Sequence, residues 1–243
     1  MPTYLLALET ATDVCSAALT DGDRLLVEET LHRARLHAER LVLLIEDVLR
    51  HADLTPAALA AVAVSGGPGS YTGLRIGVST AKGLAAATGA ALVAVPSLEA
   101  QAAAVAPFAA AGDLILPAFN SRRDEVYLAA FRRDDAGTLH PVGAPAALPV
   151  TAVPDWLRDL PAGPCWLAGE GAPRLAPALA QTDRLHRLVP LTAAGPAARH
   201  VARLGWARYA AGETEDLAAF EPRYLKDFVA KKPRASVFEK LSF

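Results

Sequence analysis

Cysteine, aromatic side chains and net charge are all scarce in this 243-residue chain, and each shortage removes a class of function. The two cysteines, Cys15 and Cys165, stand far apart among small or apolar neighbours. They supply neither a disulfide framework nor a zinc pattern and read as buried thiols of a reducing cytoplasm. A net charge of -2 offers no basic stripe of the kind that tight duplex nucleic-acid binding requires. Any RNA is therefore expected to be held mostly by a partner. No apolar run reaches the roughly 18 residues of a membrane span. The first residues lack the basic region, apolar core and cleavage site of an export signal. The expectation is a soluble cytoplasmic protein with no membrane partner.

Catalytic motifs are missing as well. Of six histidines, only His32 and His37 are near each other, at a spacing that fits neither His-Glu-x-x-His nor a helical ligand pair. Gly67-Pro68-Gly69-Ser70-Tyr71-Thr72 has threonine where a dinucleotide-binding loop needs its third glycine. No Gly-Lys-Ser/Thr follows to make a P-loop, and Lys82-Gly83 runs in the reverse order in mid-helix. Neither Ser65 nor Ser70 has the flanking glycines of a nucleophile elbow.

What is present is a large apolar fraction, 52%, in a pattern of alternating strands and helices. Tyr4 to Glu9, Cys15 to Leu19 and Leu25 to Leu31 read as a three-strand meander. A helix over about 37–51 follows, then a strand at 60–64, a helix at 74–88 ended by Gly89, a strand at 92–95 and an alanine-rich helix from Ser97 to about Ala106. A second, smaller sheet domain is expected from Leu114, with strands at 114–119 and 126–131. The proline-dense stretch 141–164 allows only a short helix around 156–159, followed by a strand at 165–168. A helix at 197–211 begins near Pro196 and stops at Gly212. Two halves of similar element order are consistent with a duplication.

The strand, glycine loop and helix start at Ser65 to Gly77 form the layout that brings backbone N–H groups to a phosphate. Its candidate residues are Gly66, Gly67, Pro68, Ser70 and Arg75. Within it, Gly69, Gly73, Gly77, Ala81 and Ala85 recur every four residues and form a ridge without bulky side chains. A helical glycine costs about 1 kcal/mol relative to alanine, so another element is expected close to Gly73 and Gly77. It is either the domain's own sheet or helix, or a partner subunit. Surplus apolar surface on the preceding helix at Val42 and Leu49 favours the partner. The expected interface is then Gly69, Gly73, Gly77, Ala81, Val42 and Leu49. Glu9, with Thr10, Thr12 and Ser16, sits where an actin-like ATPase keeps an acid and hydroxyls near phosphate and magnesium, although a plain polar turn reads the same way. Asn120, Arg122, Arg123, Asp124 and Glu125 form a polar hairpin suited to an interdomain cleft or to an ordinary turn.

Leu6-Ala7-Leu8-Glu9-Thr10-Ala11-Thr12, Gly67 to Gly77, Asn120-Ser121-Arg122-Arg123-Asp124-Glu125-Val126-Tyr127 and Glu221-Pro222-Arg223-Tyr224-Leu225 together resemble the TsaB (YeaZ) family of tRNA threonylcarbamoyladenosine biosynthesis proteins. The resemblance implies an α/β actin/hexokinase/Hsp70-like (ASKHA) fold, ribonuclease H-like, of two subdomains. Residues 1–106 with about 196–225 would form the first and 107–195 the second. Residues 226–243, with Lys231-Lys232-Pro233-Arg234, would be a solvated tail. The family's catalytic paralogue, TsaD, carries a metal-binding histidine pair in a His-Leu-Glu-Gly-His motif. This chain has Ser97-Leu98-Glu99-Ala100-Gln101 at the matching place, and neither Ser97 nor Gln101 replaces imidazole. The resemblance thus implies a non-catalytic subunit. It would dimerise with TsaD, work with the ATPase TsaE and hold tRNA through the complex. It would bind no cofactor alone, with ATP or ADP placed at the complex interface, and would form a homodimer in the partner's absence. The alternatives are an active ATP-dependent small-molecule kinase and a peptidase, the latter without any motif to support it.

Overall fold

A computed structural model describes residues 2–122, 124–180 and 182–226. Arg123 and the basic run at 231–234 lie outside the described residues. The first sheet contains β1 (Tyr4–Glu9), β2 (Val14–Asp21), β3 (Arg24–His32), β4 (Leu59–Ser65) and β5 (Ala91–Val95), in the order β3-β2-β1-β4-β5. β1 is central and covered on both faces, which explains why Leu5 to Glu9 are buried without alternation. Leu6 and Leu8 point to α1 (His37–His51) and α2 (Tyr71–Thr88). Leu5 and Ala7 point the other way, to α7 (Ala198–Ala210). α1 is amphipathic, with Leu41, Leu44, Ile45, Val48 and Leu49 buried against the sheet. α2 is capped by Ser70 Oγ, which accepts from Gly73 N at 3.2 Å, and closed by Gly89 in the left-handed region.

The second sheet has β6 (Leu114–Asn120), β7 (Glu125–Leu128), β10 (Ala146–Pro149), β11 (Cys165–Ala168) and β12 (His186–Leu188), in the order β10-β7-β6-β11-β12. In both sheets two antiparallel neighbours lie on one side of the central strand and two parallel ones on the other. The two halves thus share one topology as well as one element order, as a duplication would leave them. α3 (Ser97–Val105) runs between the sheets and is buried on every side except Glu99, which accounts for its run of alanines.

The expected strand at 126–131 is interrupted. β7 and β8 (Phe131–Arg133) keep one antiparallel register on β6, but the ladder breaks opposite Pro117, which has no N–H to contribute. β8 also pairs with β9 (Leu139–Pro141). In the proline-dense stretch 141–164 the expected short helix starts earlier and the strand β10 precedes it, and a further helix lies beyond the stretch. α4 spans Val153–Arg158 and α5 spans Ala172–Leu179, the latter with Pro173 in its first turn, where a missing N–H is tolerated, and with Pro177 inside it. A short α6 (Leu191–Ala194) follows β12. Pro196 precedes α7 rather than opening it. The first helical N–H, that of Ala198, is instead taken by Ser16 Oγ from the first hairpin at 3.1 Å. No described helix is long and apolar enough to cross a membrane.

Candidate functional site

The first hairpin, the glycine loop and the start of α2 meet at one place. Glu9 closes β1 with a carboxylate that is 1% exposed. One oxygen accepts from Ala11 N at 2.6 Å and the other from Ser65 Oγ. Burial raises its pKa to about 7, and the two donors offset only part of that. Burial, and then the Glu9 charge, lifts the Cys15 thiol to about 11, so this cysteine stays protonated and inert. Thr12 Oγ1 accepts from Val14 N at 3.2 Å, and Ser16 Oγ bridges Thr30 and α7. These hydroxyls staple local structure. His37 does the same: its buried Nε2 donates to Val14 O at 3.0 Å and anchors the start of α1.

The glycine ridge of α2 faces this hairpin, and that overturns its assignment to a partner surface. A Cβ on Gly69 would lie 2.3 Å from Ala11 O, one on Gly73 2.1 Å from Thr10 O, and one on Gly77 2.1 Å from Thr10 Oγ1. Ala81 is 0% exposed and joins the core between α2 and the sheet. Leu49 is likewise buried at 4%, whereas Val42 and its neighbour Leu43 are exposed, at 53% and 45%. Of the expected interface residues, only Val42 is fully exposed, Gly69 is half-buried, and the rest are buried. Gly83, which the sequence shows only in a Lys82-Gly83 pair of the wrong order for a P-loop, differs from the ridge glycines. It is the one helical glycine of α2 whose Cβ would meet nothing within 4 Å.

The glycine loop is occupied by the chain's own C-terminal segment. Arg223 N donates to Gly66 O at 2.8 Å, and Arg223 O lies 2.4 Å from the place a Cβ would take on Gly67, whose φ is +101°. The peptide before Pro68 is cis. Lys82 Nζ donates to Phe220 O at 2.9 Å, and Glu215 N donates to Leu92 O at 2.8 Å on the sheet edge. The Tyr71 and Tyr224 rings meet at 5.0 Å, with the Arg75 guanidinium 4.2 Å from the Tyr71 ring centre. Ser97 and Gln101 are part of this framework. Ser97 Oγ accepts from Gly67 N at 2.9 Å while its own N–H donates to Gly67 O at 2.9 Å. Gln101 Nε2 donates to Ala194 O at 2.7 Å and ties α3 to the second subdomain.

Across the cleft, Asn120 N and Nδ2 donate to Glu170 Oε1 and O at 3.3 and 3.4 Å. Arg174 bonds Asn120 Oδ1 and Glu125 O and lies 3.6 Å from Asp124. Asn120 and Asp124 are thus engaged within their own subdomain, the buried Ser121 Oγ has no hydrogen-bond partner among the described residues, and Glu125 pairs with Lys226 of the C-terminal segment. Burial raises the Glu170 pKa, the Asn120 N–H lowers it, and the charge of Asp13 on the first hairpin raises it again. A phosphate entering between the hairpins would meet Asp13 and Glu170. Glu9, the acid expected near magnesium, has both oxygens committed. The kinase alternative is therefore not favoured. Gly169-Glu170-Gly171 repeats the logic of the first subdomain, with Gly169 pressed on Ala118 O. A glycine pair directly after a strand was the signal for it.

The profile of the TsaD family, described as tRNA N6-adenosine threonylcarbamoyltransferase, matches residues 26–234. The Escherichia coli K12 protein named tRNA threonylcarbamoyladenosine biosynthesis protein TsaB is 30% identical over 228 residues, 94% of this chain and 96% of that one. The chain belongs to the TsaB (YeaZ) family. The Bacillus subtilis TsaB is 37% identical over 123 residues, 51% of this chain and 52% of its own. The solved structure of YeaZ from Pseudomonas aeruginosa superposes with a TM-score of 0.78 at 29% identity, covering 92% of this chain and all of that one. The fold is therefore that of the actin-like α/β proteins, and the packed loop, ridge and Ser97–Gln101 framework described above belong to a TsaB-family member.

Proposed function

We propose that this chain takes part in threonylcarbamoyladenosine formation in tRNA as a subunit without catalytic chemistry of its own, docking on a TsaD-type paralogue through the outer faces of α1 and α2. The observation that carries the docking reading is Gly83. A glycine inside a helix costs about 1 kcal/mol relative to alanine. Gly73 and Gly77 offset this by admitting the first hairpin, whereas nothing among the described residues comes within 4 Å of a Cβ on Gly83. A helix from another subunit passing close to it supplies the missing reason. Val42 and Leu43 on α1, the helix packed against α2, supply exposed apolar surface. Participation in the pathway is supported by family membership along nearly the whole chain.

The non-catalytic role is supported by Ser97 and Gln101, which are engaged in structural hydrogen bonds where the paralogue's metal histidines would be. Among the described residues no group of three or more His, Cys, Asp or Glu could hold a metal ion. An ATPase of the TsaE type joining the pair, tRNA held chiefly by the partner, adenine nucleotide at the subunit interface and a homodimer through the same helices complete the reading. The near-neutral charge supports the assignment of tRNA to the partner.

The experiment is co-purification with the TsaD paralogue of the same genome, using wild type, Val42→Asp and Gly83→Leu, with circular dichroism to check folding. Capture by wild type that either substitution removes from a folded chain is the expected result. No capture of wild type, or capture indifferent to both substitutions, overturns the docking surface.

A further inference from the structure

Exposed leucines gather in one short stretch of the second subdomain, at Leu185, Leu188 and Leu191, which are 59%, 45% and 44% exposed. The stretch forms the rim of the second sheet: β12 is its outermost strand, and Leu191 opens α6 directly after it. Cys165 N donates to Leu185 O and Val189 N to Leu167 O. The alternate residues His186 and Leu188 therefore turn their backbone N–H and C=O away from β11. An unpaired strand edge flanked by exposed leucines is a surface that folded proteins usually cover.

The chain carries a segment suited to that surface. Lys226 is held by Glu125 at the start of β7, and residues 227–243 follow it. Their sequence is basic first, at Lys231-Lys232-Pro233-Arg234, and apolar second, at Val237-Phe238-Glu239-Lys240-Leu241-Ser242-Phe243. The way from β7 to β12 offers complementary surface in the same order. It passes the carboxyl ends of β6 and β11, where Glu170 stands close to Asp13 of the first hairpin. Neither acid has an ion pair among the described residues, and Arg174 beside them is committed to Asn120, Glu125 O and Asp124. Beyond them come Leu188 and Leu191. The lengths agree: two strand spacings to β11 are about 10 Å and three to β12 about 14 Å. An extended chain reaches up to about 17 Å from Lys226 to Lys231 and about 36 Å from Lys226 to Val237.

We propose that residues 227–243 dock on their own chain across the carboxyl ends of the second sheet, with Lys231 and Lys232 against Asp13 and Glu170 and the apolar residues of 237–243 over Leu188 and Leu191. The chain's own cations then close the mouth of the cleft between the hairpins, and its own apolar end keeps the edge of β12 from a second copy. The inference is independent of partner docking, because this surface belongs to the second subdomain and not to the outer faces of α1 and α2.

The test is amide hydrogen exchange of the stretch 185–191, followed by mass spectrometry. It compares the full chain, a chain ending after Lys226, Phe238→Ser, and the double change Lys231→Glu with Lys232→Glu. Exchange in the full chain is expected to be at least about tenfold slower than in the shortened one, with most of that protection lost in both substituted chains. Thermal melts confirm that each is folded, and Phe238→Ser serves alone if the shortened chain is not. A full-length chain carrying Leu191→Cys and Phe238→Cys, oxidised at low concentration, should give a cross-linked monomer. Equal exchange with and without residues 227–243, protection indifferent to the charge reversal, or a cross-link that joins two chains or fails to form would overturn the proposal.

Discussion

Three glycines of one helix show how the same residue answers to different neighbours. Gly73 is pressed against a backbone carbonyl that cannot yield, so Gly73→Ala should destabilise the chain by about 2 kcal/mol or more despite alanine's better helix propensity. Gly83→Ala, with open space around it, should stabilise the isolated chain by about 0.5–1 kcal/mol. Urea unfolding of the two variants compares them directly. Gly77 meets a side chain, Thr10, whose buried hydroxyl has no partner. Thr10→Ala should therefore recover much of the loss caused by Gly77→Ala, and the coupling is read from a double-mutant cycle. Glu9 gives a pH dependence. Its carboxyl titrates near 4.5 when exposed and at about 7 when folded. Between those values the unfolded chain has released a proton that the folded chain keeps. The stability that protonated Glu9 allows is thus complete below pH 4.5 and is lost as pH rises to 7, by on the order of 3 kcal/mol. Glu9→Gln, which can still accept from Ala11 N, should flatten that slope in urea titrations from pH 4.5 to 8.

At the scale of elements, the C-terminal segment and α3 hold the glycine loop from two sides. The segment satisfies Gly66 O, fills the space over Gly67, caps the edge of β5 through Leu92 and takes the Lys82 ammonium on its carbonyls. Ending the chain after Thr214 should expose all of these, with a loss of about 2 kcal/mol and a fall in melting temperature of roughly 4–8 °C. A truncated chain that melts with the full-length one would show that the segment merely lies on the surface. Ser97 makes the matching contact from α3. A single Ser97→His change would place imidazole where the Gly67 N–H needs an acceptor and should disturb the loop.

Over the whole molecule, two sheets of the same strand order face each other across a cleft whose hairpins carry Asp13 and Glu170. Repulsion between these acids and a triphosphate predicts no saturable binding of magnesium-ATP to the isolated chain in equilibrium dialysis. Stoichiometric binding would restore the kinase alternative. The fold was largely legible beforehand: buried strands at 4–9 and 60–64, the helices at 37–51 and 74–88, and the break between halves all follow from apolar periodicity. The second subdomain was less so. Its β7–β8 strand is split by a proline in the opposite strand, and α5 tolerates prolines that normally end a helix. The first effect is not written in the segment it alters.

The sequence by itself determined the class of fold, the lack of a histidine pair at Ser97 and Gln101, and the four-residue spacing that puts Gly69, Gly73 and Gly77 in line. Local periodicity encodes which side chains share a face. Only the tertiary structure decided what lies opposite that face. The residues that press on the ridge, Thr10 and Ala11, come from a hairpin about sixty positions earlier and are brought there by the parallel pairing of β1 with β4. The same pairing turns the ridge inward, commits the oxygens of Glu9, and leaves Gly83 and Val42 facing outward.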